Sequence, residues 1–304
     1  MNKPSIKAYI AWINICIVWG TTYLAIRIGV ADMPPMLFAG LRWIIAGTGI
    51  SSFFLLKNVK FPSFNDSYKI ALAGIAMLGA GNGLVVIAEQ WISSGLAALL
   101  ITTTPFWMVG LESLLPGNSK LNSTIITGLV LGLIGVVIIF SDDFKYLFEL
   151  QNLIGIICLL LAVIFWSAGT IYSKLKSVKT QPLIGASIQM LTAGTLQILI
   201  GISIGEVSQF RLTQDSVLAL IYLITIGSVI GYGSYIYAIN HLPLSLVSTY
   251  AYINPLIALF LGWLILDEKL SWNIILSAVL ILAAVMLVQK GSTMLKADSN
   301  KKSR

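Results

Sequence analysis

The chain is 304 residues long, 57% hydrophobic and only 10% charged, with a mean hydropathy of +0.91. A soluble domain carries roughly 25% charged residues, so this chain has too little polar surface to face water on all sides and belongs in lipid. Its formal net charge of +7 is scattered over many loops with no stacking aromatics between the basic residues, which excludes a nucleic-acid footprint.

Apolar runs of about 20 residues, the length that crosses a hydrocarbon core of ~30 Å, follow one another almost without pause. About ten are read: near 8–28, 35–56, 69–91, 96–115, 122–140, 153–173, 184–205, 216–239, 244–266 and 272–290. In lipid every backbone group needs an internal partner, so these runs are expected to be helices. The alternating ten-residue segments of a membrane barrel are not seen. The longest polar connections, around 57–68, 141–152 and 206–215, are too short to bury a core of their own.

The first run follows Lys3 and Lys7 but continues to Ile28 without a small-residue cleavage pattern, so it reads as a retained helix rather than a signal peptide. It holds Cys16, Trp19 and Thr22, and no carboxylate between residues 8 and 28. The second run holds Arg42, about two turns from its start. The third holds Gly79, Gly81, Asn82 and Gly83 and ends near Glu89. The fourth holds Thr104 and Pro105 at its middle and Glu112 toward its end. Charges within spans cost roughly 2.5–3.5 kcal/mol at the centre, so Arg42, Glu89 and Glu112 are candidates for function. Neighbouring helices place Arg42 and Glu89 on one side, where a pair would close or shape an outer gate; a static ion pair or separate snorkelling is the plain alternative. Glu112 is either a proton site or an interfacial carboxylate.

Beyond the 141–152 connection the series repeats. Cys158 and Trp166 lie in the sixth run, Gln189 in the seventh, and Gly227, Gly231, Tyr232, Gly233 and Tyr235 in the eighth. His241 falls in the short turn that follows and reads as solvated. The ninth run carries Tyr250, Tyr252, Asn254 and Pro255, with Glu268 near its end in an Asp-Glu-Lys-Leu turn that it caps or positions. Residues 291–304 read as a basic cytoplasmic tail, disordered from Lys296 to Arg304 and in reach of anionic lipid. The two cysteines are read as buried free thiols. With a single histidine there is no metal-ligand cluster, and no cofactor motif is present.

The halves match. At an offset of 147, Trp19 falls on Trp166, Gly47 on Gly194 and Arg42 on Gln189. At an offset of 150, Gly81 and Gly83 fall on Gly231 and Gly233, Ala88 on Ala238 and Pro105 on Pro255. A change of three is what one longer inter-helix loop would produce, so the chain is read as two five-helix repeats, 8–140 and 153–290. Five spans per copy is an odd number, which inverts the second copy in the bilayer and gives a physical route to alternating access. With the N-terminus inside, fourteen of the nineteen basic residues fall on the inner side and four on the outer, which places both termini in the cytoplasm.

Several residues then take candidate roles. The paired glycines either pack helices closely or act as flex points, with Asn82 and Tyr232 facing a cavity. Pro105 and Pro255 each remove a backbone hydrogen bond and are expected to bend their helices as hinges, with Thr104 and Asn254 satisfying freed carbonyls or facing substrate. Trp19 and Trp166 sit deep in the membrane and need partners for their N–H groups, in a cavity wall or a helix contact. Thr22, Tyr235, Tyr250 and Tyr252 are further lining candidates.

Val-Trp-Gly-Thr-Thr-Tyr at 18–23, Leu-Arg-Trp at 41–43 and Ser-Gly-Leu-Ala-Ala-Leu-Leu at 94–100 carry a resemblance, as do Tyr-Ala-Tyr-Ile-Asn-Pro at 250–255 and Gly-Trp-Leu-Ile-Leu-Asp-Glu-Lys-Leu at 262–270. In their order and spacing they resemble the drug/metabolite transporter superfamily, in its ten-helix form with two EamA-type domains, over roughly residues 8 to 290. The resemblance implies a bacterial inner-membrane carrier with a central cavity between its halves, many such proteins exporting amino acids or other small metabolites. Small proton-coupled multidrug members carry a carboxylate in the first helix; this chain has none there, which sets it apart from that mechanism. No phosphate-binding loop is present, so a secondary transporter driven by a gradient is expected, with amino acids or related metabolites as cargo and a monomer sufficient. Metabolite uptake and toxic-compound efflux are the alternatives within transport. A polytopic membrane enzyme or a structural membrane protein is the alternative outside it, but the first lacks clustered polar residues on long loops and the second gives no reason for matched mid-helix Pro and Trp.

Overall fold

The structure is a computed structural model that describes residues 5–92, 94–115, 122–139, 152–257 and 272–302. The Gly-Trp-Leu-Ile-Leu-Asp-Glu-Lys-Leu stretch, with Gly262 and Glu268, lies outside the described residues. Among the described residues there is helix and no strand, as lipid requires of an open chain. The first half contributes α1 (Ile6–Val30), α2 (Pro35–Leu56), α3 (Phe64–Ala88), α4 in two pieces (Ser94–Ile101 and Thr104–Ser113) and α5 (Ser123–Ile139). The second contributes α6 (Leu153–Leu175), α7 (Pro182–Ser203), α8 (Gln214–His241), α9 over 244–257 and α10 (Trp272–Lys302). Seven of these helices are long and apolar enough to cross a membrane. Large apolar side chains such as Ile10, Leu24, Phe53, Leu199 and Leu282 point outward and are exposed, which in a bilayer is contact with lipid.

The helix boundaries obey the two offsets. The first residues of α1 and α2 lie 147 before those of α6 and α7, and those of α3 and α4 lie 150 before those of α8 and α9. The difference is made in one connection, 57–63 in the first half and 204–213 in the second. α2 ends on Asn58 at φ 55° and α7 on Gly205 at φ 82°, again 147 apart and both left-handed, the conformation that ends a helix and that Gly and Asn adopt at least cost. The second connection then adds a short 3-10 turn, Glu206–Gln209.

That turn has a structural task. α2 starts after Pro34, which offers its first N–H groups no side-chain cap. Glu206 reaches across from the other half instead: its Oε1 accepts from the Met36 N–H at 3.2 Å and its Oε2 from the Leu37 N–H at 2.9 Å. A carboxylate is suited to that end of a helix, where unpaired donors and the helix dipole both favour negative charge.

The halves meet along α2 and α7. Without a hydrophobic drive between helices in lipid, close contact depends on small residues. A Cβ on Gly40 would lie 3.0 Å from the Gly194 carbonyl oxygen, and one on Gly47 would lie 3.0 Å from the Ser187 carbonyl oxygen. The two contacts exchange under the 147-residue offset, as a two-fold relation requires. α5 and α10 form a second such pair, with Gly128 against Ala284 and Val288 and Gly135 against Ser277 and Ile281.

Three expectations are corrected. α3 begins at Phe64, one turn and more before the apolar run, because Ser63 caps it by accepting from the Asp66 N–H and the Asp66–Lys69 pair continues its polar start. The basic segment from Lys296 continues α10 as helix to Lys302 instead of starting a disordered end. The paired prolines do not bend their helices alike: α4 is interrupted at Thr102–Thr103 with Pro105 in the first turn after the break, whereas α9 is interrupted at Ser248–Thr249 and Pro255 lies inside the helical part that follows.

Candidate functional site

The site is built on one face of α1. Trp19, Thr22, Tyr23 and Ile26 stand at spacings of three and four, so all four point the same way. They line a cavity of about 70 Å³ between the halves, together with Arg42 and Trp43 from α2 and Asn82 from α3. Thr104 from α4, Trp166 from α6 and Tyr250 from α9 complete the wall. Small-molecule sites run to roughly 300–1,000 Å³, so this cavity is smaller than the usual ligand pocket.

The walls are aromatic. Trp19 meets its repeat partner Trp166 edge to face at 5.4 Å between ring centroids, and lies 5.0 Å from Tyr250 and 5.1 Å from Tyr235. Each indole N–H is satisfied: Trp19 donates to the Gly227 carbonyl at 3.3 Å, Trp166 to the Tyr235 hydroxyl at 3.0 Å and Trp43 to Asn82 Oδ1 at 3.2 Å. Tyr235 is held in turn by Thr170 at 2.6 Å, and Tyr232 by donating to Gln189 Oε1 at 2.9 Å. The cavity wall is therefore a hydrogen-bonded, interlocked set of rings.

α3 and α8 hold this wall through matched irregularities. Each contains a π-helical stretch, Ile75–Asn82 and Leu223–Tyr232, and each returns to α-helix at a glycine, Gly83 and Gly233. Such stretches occur frequently at functional sites. The glycines of the motif sit where helices cross closely. A Cβ on Gly81 would approach the Trp166 backbone nitrogen to 3.3 Å, and one on Gly231 the Trp19 Nε1 to 2.7 Å.

Arg42 is the one charge in the wall among the described residues. It is 4% exposed. Its Nε donates to the Ser228 hydroxyl at 2.8 Å, and its guanidinium carbon lies 4.1 Å from the centre of the Trp43 ring. Among the described residues no carboxylate pairs with it. The expected Arg42–Glu89 pair is not formed. Glu89 closes the end of α3, where it is fully buried and neither carboxylate oxygen has a hydrogen-bond partner among the described residues. The cation beside it is Arg27 of α1, which donates to the backbone carbonyls of Glu89 and Ile92.

Of the residues singled out from sequence, Trp19, Thr22, Asn82, Trp166 and Tyr250 are brought together around the cavity, with Arg42 and Gly81. Tyr232, Tyr235 and Tyr252 are fully buried behind the wall. Asn254 is also behind it: with its amide nitrogen turned toward them it donates to the Cys16 carbonyl at 3.0 Å and the Tyr250 carbonyl at 2.9 Å, tying α9 to α1. Glu112 stands apart, partly exposed, with an oxygen 3.6 Å from Lys174 Nζ. Thr104 donates to the Ile101 carbonyl at 2.6 Å, which is the carbonyl that Pro105 leaves without a donor. Sequence reasoning missed Tyr23, Ile26 and Trp43. The α1 residues were legible as the rest of the Trp19 face, and Trp43 as the neighbour of the only charge in its span. Among the described residues no group of His, Cys, Asp and Glu could hold a metal ion.

The family profile described as the EamA-like transporter family matches this chain twice, over residues 6–141 and 153–289. The chain belongs to that family. It is 33% identical to the "Uncharacterized inner membrane transporter YedA" of Escherichia coli K12, over 92% of this chain and 90% of that one. It is 28% identical to the "Uncharacterized transporter YoaV" of Bacillus subtilis 168, over 93% and 96%. It is 24% identical to a "Probable amino-acid metabolite efflux pump" of Escherichia coli K12, over 90% and 91%. A crystal structure covering 95% of this chain and 98% of its own shares the fold at a TM-score of 0.78 and 19% identity. This EamA protein is an all-α, multi-pass membrane transporter of small solutes.

Proposed function

We propose that this EamA transporter is a secondary carrier that exports amino acids or closely related metabolites by alternating access, with both termini in the cytoplasm and a single chain as the working unit. The observation that carries the reading is Arg42: a buried guanidinium in the cavity wall with no carboxylate partner among the described residues, set among aromatic faces. A planar cation with free donors is the group that recognises a carboxylate. The faces of Trp19, Trp43, Trp166 and Tyr250 suit both an ammonium and an apolar side chain. A zwitterionic amino acid offers all three. The resemblance to a relative named as a probable amino-acid metabolite efflux pump points the same way.

For the cavity to take such a cargo it has to open, and the paired π-helical stretches of α3 and α8 are the elements on which that opening would turn. Arg42 serves as cargo anchor, and Glu89, whose buried carboxylate has no hydrogen-bond partner among the described residues, is the candidate for coupling. Glu112, paired with Lys174 at the periphery, is left to orientation and stability.

The test is counterflow in proteoliposomes with amino acids, the corresponding decarboxylated amines and the carboxylate esters. Amino acids are expected to exchange while amines and esters do not. Arg42→Gln removes a charge-assisted contact worth about 1.5–3 kcal/mol, so the half-saturation concentration is expected to rise roughly 10- to 150-fold. Arg42→Lys should fall between, since a point charge lacks the fork. Equal exchange of amines and amino acids, or an unchanged half-saturation in Arg42→Gln, would overturn the assignment.

A further inference from the structure

A second and much larger cleft, about 1260 Å³, lies at the end of the bundle that carries the N-terminus of α1. It opens between α1 and the 57–63 connection of the first half and α7 and α8 of the second. Its rim holds three lysines from three different elements, Lys7, Lys60 and Lys179, all exposed, and no carboxylate among the described residues that line it. None of the three has a carboxylate partner within salt-bridge distance among the described residues.

Its inner wall is mostly apolar and runs along one face of α8, through Val229, Ile230, Gly233 and Tyr237, with Ser234 as the polar exception there. Ile230 is 42% exposed although it lies near the middle of a membrane-spanning helix. Eleven residues separate it from His241 at the helix end, which at 1.5 Å per residue is about 16 Å. Half of a hydrocarbon core of ~30 Å is about the same length. The cleft therefore runs the depth of one leaflet, apolar and laterally open below and cationic at the level of the headgroups.

We infer that this cleft seats one anionic phospholipid, with the phosphate held by Lys7, Lys60 and Lys179 and an acyl chain lying along α8. Basic pockets between membrane helices take anionic headgroups, and each lysine near the surface adds to that attraction. The apolar wall explains why the occupant is a lipid and not a free anion: a soluble phosphate or carboxylate would leave most of the cleft facing nothing it can use. The seat touches both halves, α1 on one side and α7 and α8 on the other, so the lipid is a wedge between parts that a carrier moves. This inference is independent of the cargo.

The test is native mass spectrometry of the detergent-purified full chain, titrated with phosphatidylglycerol and phosphatidylcholine of matched acyl chains. One retained phosphatidylglycerol is expected, preferred over phosphatidylcholine by on the order of tenfold or more. The triple variant Lys7→Gln, Lys60→Gln, Lys179→Gln should lose that preference. Ile230→Trp, which fills the lipid-facing mouth and leaves the lysines in place, should reduce retention of both lipids. A control triple, Lys57→Gln, Lys69→Gln, Lys176→Gln, should keep the preference. The inference is overturned if the first triple retains the preference, if the control triple loses it equally, or if inorganic phosphate displaces the bound species.

Discussion

Glu206→Ala should weaken the whole bundle although the residue lies in a connection far from the cavity. The carboxylate takes two backbone donors of α2, at 3.2 and 2.9 Å. Met36 and Leu37 are 5% and 7% exposed, so water cannot readily replace it. An orphaned buried N–H costs about 1–3 kcal/mol, and the lost dipole interaction adds about 0.3–1 kcal/mol. Glu206 is itself buried, and releasing it from that burial offsets part of the loss. A net destabilisation of about 2–3 kcal/mol follows. At about 2–4 °C per kcal/mol, the range for chains of 150–250 residues, the apparent melting temperature should fall by roughly 4–12 °C. The assay is a tryptophan-fluorescence melt of the detergent-solubilised protein at a fixed scan rate. Glu206→Gln keeps one acceptor and should fall between. Glu112→Ala is the reference, because its pair with Lys174 is partly exposed and contributes at most about 1 kcal/mol. If Glu206→Ala melts within about 1 °C of the parent, or no lower than Glu112→Ala, the cap is not holding α2 and the reasoning fails.

Other expectations are as specific. Gly231→Ala places a Cβ 2.7 Å from Trp19 Nε1, so Trp19 must shift and its bond to the Gly227 carbonyl is lost; counterflow should drop by about tenfold or more, as small misplacements in a site do, with the melt changed far less. Thr104→Val removes the donor that satisfies the carbonyl freed by Pro105 and should destabilise by about 1–2 kcal/mol, with Thr104→Ser close to the parent in the same melt. Gly47→Val meets backbone at 3.0 Å that neither helix can move aside, and size-exclusion chromatography should show loss of the monodisperse species. Glu112→Gln should leave counterflow kinetics unchanged, and a loss of transport there would restore it as a coupling site.

The architecture was legible because its causes are written in long runs. Apolarity over twenty residues specifies a spanning helix almost without reference to anything else, and the change of offset from 147 to 150 located the extra three residues before any coordinates. Local polar chemistry was less legible. The start of α3 is dictated by Ser63 and Asp66, which hydropathy reads as loop. The cavity was half visible: matched Trp19 and Trp166 announced it, while Tyr23 and Trp43 follow only once the helix faces are known. Pairing of charges was the least legible. Arg42 and Glu89 were placed at the same end of the bundle, but the rotation of each helix about its own axis, which sends Arg42 to Ser228 and leaves Arg27 beside Glu89, is set by packing and has no signature in a single sequence.

The short turn that carries Glu206 has no counterpart in the first half. The connection at 57–63 lacks the three residues and the carboxylate, so the start of α2 is strapped and the corresponding start of α7 is not. Two halves that exchange shapes would otherwise have two facing forms of nearly equal energy. A strap that differs between those forms by only about 1.4 kcal/mol makes one of them tenfold more populated at rest. Such a bias cannot choose the direction of net flow, which the gradient sets. It chooses the side on which an empty carrier waits.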